Sequence, residues 1–206
     1  MSELQQNKIR INENRQRIDF DEETHKYTYL ENNKVLPSVT QITNVLSNEV
    51  YDGIDEEVLK KAAEKGSLVH KAIEDFTLWG DYQLPEEYKE YMLSFKKALT
   101  LEKFEPKYAE FKLTNGVFCG TIDSMSLLNN QIIIIDYKTT STIHKKLLEA
   151  QFGGYKLLCE YNGIKVDKWY GLFLSKTGYK FIEIKPDVDI FKKCLDIYNF
   201  IKKEEE

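Results

Sequence analysis

The chain has 206 residues, of which 42% are hydrophobic, 31% charged and 13% aromatic, and its net charge at pH 7 is -5. These values are typical of a globular protein with one domain, and no apolar run approaches the ~20 residues that a membrane span needs. The acidic charge argues against non-specific nucleic-acid binding by the surface at large. The three cysteines are scattered and lack CxxC spacing, which predicts free thiols in a reducing cytoplasm and neither disulfides nor an iron–sulfur cluster. The first 20 residues contain no apolar segment, so we expect a cytoplasmic protein without a signal peptide.

The predicted elements follow one another as helices, strands, a helix, strands and a helix. Residues 3–17 are polar and weakly patterned, so they form either a short helix or part of a flexible arm over residues 1–18, and residues 202–206 are expected to fray. Between these ends the pattern predicts a hairpin (26–30 and 34–36), helices beginning near Pro37 and Asp55, a helix (86–103), three strands (110–138), a helix (145–162), a hairpin (168–175 and 179–185) and a helix from Val188. Ser38 and Gln41 have the spacing of a capping box, and Gly163 suits the position after a helix end. This order predicts a single α/β domain with a mixed central β-sheet flanked by helices, an N-terminal helical addition and a crossover helix leading to a parallel strand.

Two tight turns divide residues 110–138, EFKLTNGVFCGTIDSMSLLNNQIIIIDYK, into three strands. Asn115-Gly116 and Asn129-Asn130 can both supply the positive φ angles of a two-residue hairpin turn. Such turns predict five opposed pairs: Thr114 with Val117, Glu110 with Thr121, Leu128 with Gln131, Asp123 with Asp136, and Thr121 with Lys138. Because side chains alternate between faces, four polar residues then share one face of the sheet: Glu110, Asp123, Asp136 and Lys138.

These four side chains predict a divalent metal site. Opposed carboxylates repel each other unless a positive charge lies between them, and Mg²⁺ or Mn²⁺ binds carboxylate oxygens. Hydrated charges on a solvated sheet face are the alternative. However, residues 132–135 are all isoleucine, as in a strand buried on both faces, and charges that end such a strand need partners or a metal. Lys138 would orient a water molecule or offset negative charge there.

Three further polar residues lie on predicted helices. His70 shares an inward-facing stripe with Val69 and Ile73, where it is either a packed core histidine or a metal ligand. Gln151 and Tyr155 are four residues apart on one helix face, which by itself also fits an ordinary polar fringe. Residues 138–146, KTTSTIHKK, contain three lysines, four hydroxyl groups and no acid, and form either a DNA-contacting track or a solvated loop. The candidate substrate contacts in this track are Thr139, Thr140, Lys145 and Lys146.

Taken in order, four motifs resemble those of the PD-(D/E)xK nuclease superfamily: GSLVH (66–70), GTID (120–123), IIDYKTT (134–140) and QFGGY (151–155). The likeness is to the RecB/Cas4-like branch, which includes stand-alone phage-type exonucleases, and it covers roughly residues 19–185. The upstream segments HKYTY (25–29) and PSVTQI (37–42) also resemble the N-terminal signature of such phage and prophage proteins.

The resemblance implies a restriction-endonuclease-like core and a metal-dependent DNA exonuclease that serves recombination or repair. It also implies roles for individual residues: Asp123 and Asp136 bind the metal, Lys138 is catalytic, His70 binds the metal or orients a ligand, Gln151 and Tyr155 arrange the site and the substrate phosphate, and Glu110 is an acid that some members carry. The chain lacks the four cluster-binding cysteines of some relatives and has no GxxxxGK[ST] phosphate-binding loop, so we expect a stand-alone nuclease without a helicase motor.

The sequence leaves three functions open. They are an exonuclease, a structure-selective or site-specific endonuclease with the same chemistry, and a catalytically silent DNA-binding scaffold on the same fold. The expected partners are DNA, further copies of the chain in a ring or other oligomer, and a single-strand annealing protein. We expect no association with a membrane.

Overall fold

The computed structural model describes residues 2–21, 24–51, 53–140 and 142–204. In chain order its elements are α1 (Glu3–Arg15), β1 (Ile18–Asp21), β2 (Lys26–Tyr29), β3 (Lys34–Leu36), α2 (Val39–Tyr51), α3 (Glu56–Trp79), a 3-10 turn (Glu86–Tyr88), α4 (Lys89–Glu102), β4 (Glu105–Thr114), β5 (Cys119–Leu128), β6 (Gln131–Lys138), α5 (Lys145–Tyr161), β7 (Lys168–Ser175), β8 (Gly178–Glu183) and α6 (Val188–Glu204). Strands β4 to β8 form a five-stranded sheet in sequential order, in which β6 and β7 are parallel and the other neighbours antiparallel. The predicted mixed α/β sheet with its N-terminal helix is therefore confirmed.

Strand β6 is buried on both faces because helices cover both sides of the sheet. Ile132 and Ile134 belong to the core beneath α2, α5 and α6, whereas Ile133, Ile135 and Tyr137 belong to the core beneath α3 and α4. Helix α5 is the crossover between the parallel strands β6 and β7, as predicted. The alternation also places Asp136 and Lys138 on the same face as Ile132 and Ile134.

Residues 2–21 and 24–51 form a small sheet and two helices, α1 and α2, each with a capping box. Strands β1, β2 and β3 pair in sequential order, so the predicted hairpin has an additional strand that the sequence pattern missed. The capping box before α2 is observed: the backbone N–H of Gln41 donates to Ser38 Oγ at 3.1 Å, and the N–H of Ser38 donates to Gln41 Oε1 at 2.9 Å. Of the two alternatives for residues 3–17, the structure has the helix, and α6 extends to Glu204.

The predicted register of β5 with β6 holds, whereas the predicted register of β4 with β5 is wrong. Asn129 and Asn130 form the expected turn with positive φ angles, and Leu128 pairs with Gln131. The first turn instead spans residues 115–118, because Asn115 Oδ1 accepts hydrogen bonds from the N–H groups of Val117 and Phe118. In β4 and β5, Thr114 pairs with Cys119 rather than Val117, and Lys112 rather than Glu110 lies opposite Thr121. In β5 and β6 the pairing follows the predicted register as far as Ser124 with Ile135, and the predicted pairs Asp123 with Asp136 and Thr121 with Lys138 lie beyond the last paired residues. The shift between β4 and β5 is by two residues, so the side chains keep their predicted faces.

None of the helices in the described ranges is long and apolar enough to cross a membrane.

Candidate active site

Three side chains from three elements converge at one edge of the large sheet. His70 on α3, Glu110 on β4 and Asp123 on β5 offer ligand atoms that all lie within 4.8 Å of one another. His70 Nδ1 is 3.6 Å from Asp123 Oδ2 and 3.8 Å from Glu110 Oε1. Two carboxylates and an imidazole at this spacing can hold a divalent cation.

The backbone of β4 is irregular at Glu110. Its φ is +45°, in the left-handed region that non-glycine residues seldom adopt. The flanking residues Ala109 and Phe111 pair with Ser124 and Ile122, so Glu110 interrupts an otherwise regular ladder next to Asp123. Strain of this kind persists where the surrounding structure imposes it, and here it accompanies the convergence of two acids.

The hydrogen bonds of His70 fix which ring nitrogen faces the acids. Nε2 is 2.8 Å from the backbone carbonyl oxygen of Tyr137, which can only accept, so Nε2 carries the proton and Nδ1 faces the carboxylates. Burial lowers the pKa of His70, but the charge of Asp123 and the hydrogen bond and charge of Glu110 outweigh it and raise the pKa to about 9. A metal-binding histidine commonly donates its other N–H to a backbone carbonyl in this way.

Asp123 is held by the same residue of β6. Its Oδ2 accepts a hydrogen bond of 2.7 Å from the backbone N–H of Tyr137. Burial raises the pKa of Asp123, the charge of Glu110 raises it further, and the charges of His70 and Lys138 oppose both effects. The N–H and carbonyl of Tyr137 therefore position the side chains of Asp123 and His70, which lie on two other elements.

The second part of the site is a chain of polar contacts that begins at Asp136. Asp136 is 3% exposed, and its Oδ2 lies 2.7 Å from Lys138 Nζ. Lys138 Nζ donates to Gln151 Oε1 at 3.3 Å, and Gln151 Nε2 donates to Tyr155 Oη at 3.1 Å. Burial raises the pKa of Asp136 to about 6 even though the Lys138 ammonium lowers it, and burial raises the pKa of Tyr155 well above its usual value. Tyr155 therefore stays protonated and can donate to an anion.

Close packing of helices places Gln151 and Tyr155. A Cβ on Gly153 would lie 2.2 Å from the backbone oxygen of Asp187, so only glycine lets the chain before α6 approach α5 this closely. Gln151 and Tyr155 lie two residues on either side of this glycine and point to the sheet end that carries Lys138.

A cleft of about 550 Å³ joins both parts of the site. Its lining includes six of the predicted site residues: His70, Asp123, Asp136, Lys138, Gln151 and Tyr155. Of the four predicted substrate contacts, Thr140 lines this cleft, while Thr139 lines a neighbouring cavity. Lys145 and Lys146 lie outside the cleft lining and point to Glu149, at 3.8 and 3.1 Å.

Sequence reasoning missed two sets of cleft residues. Thr40, Thr43 and Ser47 present hydroxyl groups at helical spacing along α2, a periodicity that could have been read from the sequence. His25 directly precedes β2 and Tyr27 lies within it, and Tyr27 Oη lies 2.8 Å from Thr121 Oγ1 in a hydrogen bond. No local pattern links the latter two to residues about 100 positions away.

Comparisons with known proteins give only distant likenesses. No protein-family model matches the chain, and no curated protein matches it in sequence. The chain is similar to the crystal structure of the protein SSO0001, with 12% identity, a TM-score of 0.46 and coverage of 94% of this chain and 83% of that one. It is also similar to a phage related exonuclease from Haemophilus somnus 129PT, with 11% identity, a TM-score of 0.44 and coverage of 83% of this chain and 96% of that one. Since both TM-scores are low, the case for function depends on the site of this chain.

Proposed function

We propose that this protein is a divalent-metal-dependent deoxyribonuclease that hydrolyses phosphodiester bonds at the ends of linear DNA. The observation that supports this most directly is the cluster of His70, Glu110 and Asp123, because His70 and Asp123 line the same cleft as the buried Asp136 and its partner Lys138. The ordered motifs, which resemble those of the PD-(D/E)xK nucleases, agree with a restriction-endonuclease-like core.

The donor set fits Mg²⁺ or Mn²⁺. Carboxylate oxygens are hard ligands, and because Nε2 donates to Tyr137, a cation that displaces the Nδ1 proton would meet the Nδ1 lone pair beside Glu110 and Asp123. We propose His70, Glu110 and Asp123 as ligands, with Asp136 completing the set on the side of Lys138. A bound cation would lower the pKa of a coordinated water and neutralise charge on the phosphate.

The other residues of the cleft position charge and protons. Asp136 holds Lys138 Nζ at 2.7 Å and Gln151 Oε1 accepts from it, so the ammonium has a fixed position facing the cleft. There it would stabilise negative charge that develops on the phosphate or orient the attacking water. Tyr155 accepts from Gln151 and retains its own proton, which is available to a phosphate oxygen.

Digestion of end-labelled linear DNA and covalently closed circular DNA tests the proposal, each with Mg²⁺, Mn²⁺ or EDTA. We expect metal-dependent loss of the linear substrate only, and no activity from Asp136→Ala, which should remain folded. Cutting of the closed circle would identify an endonuclease. Equal metal-dependent cleavage by wild type and Asp136→Ala would contradict the assignment, and DNA binding without any cleavage would identify a silent scaffold.

We further propose that the enzyme works as a homo-oligomer, alongside a single-strand annealing protein. With a net charge of -5 and no motor motif, one chain has little means of staying on DNA through many cuts. Several copies that enclose the substrate would retain it by topology. Sedimentation that shows a monomer, combined with processive digestion, would refute this.

A further inference from the structure

A second groove also reaches the His70, Glu110 and Asp123 cluster. It has a volume of about 550 Å³, and it runs between the small N-terminal sheet and α3, over β4. His25, Tyr27, His70 and Thr121 line both the groove and the cleft, so the two spaces meet at the cluster. A chain molecule bound at the metal site could therefore continue through the groove.

One wall of this groove is aromatic. The ring centroids of Phe20 and Tyr27 are 4.4 Å apart, and those of Phe20 and His25 are 6.0 Å apart. Tyr27 is buried, whereas Phe20 is half-buried and His25 is exposed with a φ of +51°, a sparsely populated conformation. Aromatic rings that are open to a groove are the usual means of stacking unpaired bases.

Lys112 adds a positive charge beside these rings. Its Nζ lies 5.2 Å from the Phe20 ring centroid, so the ring holds the ammonium in place by a cation–π contact. Lys112 is two residues from Glu110 on β4 and opposite Thr121, on the face that carries Glu110 and Asp123. Two residues of a strand span about 7 Å. This step is comparable with the separation of neighbouring phosphates along an extended strand.

We propose that Phe20, His25 and Lys112 form a subsite for the nucleotide next to the scissile phosphate, on a single, unpaired DNA strand. The rings take the base and the ammonium takes the phosphate. The inference rests on the proposed nuclease function and deepens it, because it assigns the strand state of the substrate at the site. In a duplex each base face is already stacked on its neighbours, so the rings of the groove reach only a base that has left the duplex.

The phosphate contact is tested by the salt dependence of binding. The parent protein for these measurements carries Asp136→Ala so that the DNA stays intact. Short fluorescein-labelled single strands are titrated against this parent and against Lys112→Gln and Lys97→Gln in the same background. Lys97 is an exposed lysine of α4 and serves as the matched control. We expect Lys112→Gln to reduce the slope of log Kd against log salt by about 0.7, as for the loss of one phosphate contact on a single strand. An unchanged slope, or an equal change with Lys97→Gln, would overturn the role of Lys112.

The base contact is tested with strands that each carry one abasic position. At one position, loss of the base should weaken binding to the parent protein by roughly 5- to 150-fold, the range for stacking of one base. The same abasic strand should cost nothing further in Phe20→Leu or His25→Ala. Trp79→Leu, at a 78% exposed tryptophan outside both grooves, should behave like the parent. If no abasic position matters, or if the loss is equally large in both variants, stacking is refuted.

Failure of the subsite proposal and failure of the nuclease proposal give different results. His25 is exposed, so His25→Ala should fold even if Phe20→Leu does not, and thermal unfolding checks both. Metal-dependent cleavage by wild type with no effect of these variants would leave the nuclease proposal standing and remove the subsite. Subsite-dependent binding without any cleavage would remove the nuclease proposal instead.

Discussion

Replacing Asp136 with asparagine should stabilise the metal-free protein at neutral pH while abolishing cleavage. Asp136 is 3% exposed, and its pKa is raised from 3.8 to about 6, mainly by burial. The difference corresponds to ~3 kcal/mol by which the ionised carboxylate disfavours the folded state. Asparagine has nearly the same shape and no charge, so we expect a gain of ~1–3 kcal/mol in the free energy of unfolding, reduced by the loss of the contact with Lys138.

The sign of the pH dependence follows from the raised pKa. Between about pH 4 and pH 6 the folded protein binds more protons at Asp136 than the unfolded chain does. The contribution of this group to stability is fully present below its unfolded pKa and is lost as the pH rises through about 6. Wild type should therefore lose stability relative to Asp136→Asn across this interval, and the two proteins should converge toward pH 4.

Urea unfolding in EDTA at several pH values measures the difference. Asp19→Asn, at an exposed position of β1, is the matched control and should follow wild type. Addition of Mn²⁺ should reverse the order, since a cation at 100 times its Kd stabilises the wild type by about 2.7 kcal/mol. If Asp136→Asn were less stable than wild type in EDTA at about pH 8, the ion pair with Lys138 would outweigh burial and the reasoning would fail.

Three other changes test the site. Lys138→Ala should keep Mn²⁺ binding by calorimetry but lower turnover by ~10²-fold, because the carboxylates remain and the charge-stabilising ammonium does not; loss of metal binding would make the lysine structural. His70→Gln should weaken Mn²⁺ affinity by at least roughly 10-fold with little change in Tm, whereas a lower Tm with unchanged affinity would return His70 to a packing role. Gly120→Ala should lower turnover and cost ~1–3 kcal/mol of stability, because its Cβ would lie 2.8 Å from Cε1 of the Tyr155 ring, and full activity would show that this ring can move freely.

Local rules account for the parts of the fold that were predicted correctly. The Asn129 and Asn130 turn depends only on two residues that tolerate positive φ, and it fixes the pairing of Leu128 with Gln131. The capping box of α2 is equally local. Isoleucines at residues 132–135 predicted a strand buried on both faces because burial on both faces requires a continuous apolar run.

The errors arise where distant contacts decide the outcome. The Asn115-Gly116 pair predicts a two-residue turn. Instead, the Asn115 side chain accepts hydrogen bonds from two backbone N–H groups and stabilises a longer loop, which shifts the register by two residues. Strand β1, with the sequence IDFD, has little intrinsic strand character and forms by pairing with β2. The irregular backbone at Glu110 has no sequence signal. Side-chain parity survived the register error, and for this reason the candidate acids still converge.

The contacts of Tyr137 mean that two members of the candidate metal cluster, His70 and Asp123, are positioned by main chain rather than by a side chain. The N–H of Tyr137 holds Asp123 and its carbonyl holds His70, while its own ring packs against Phe95 in the opposite core, with centroids 5.6 Å apart. No substitution at 137 except proline can delete the hydrogen bond that the backbone N–H donates to Asp123. The alignment of these two side chains is thus protected against most point mutations, and it lasts for as long as β6 stays in the sheet. The amide proton of Tyr137 becomes a natural reporter, because its hydrogen exchange records each opening of the site together with the opening of the strand.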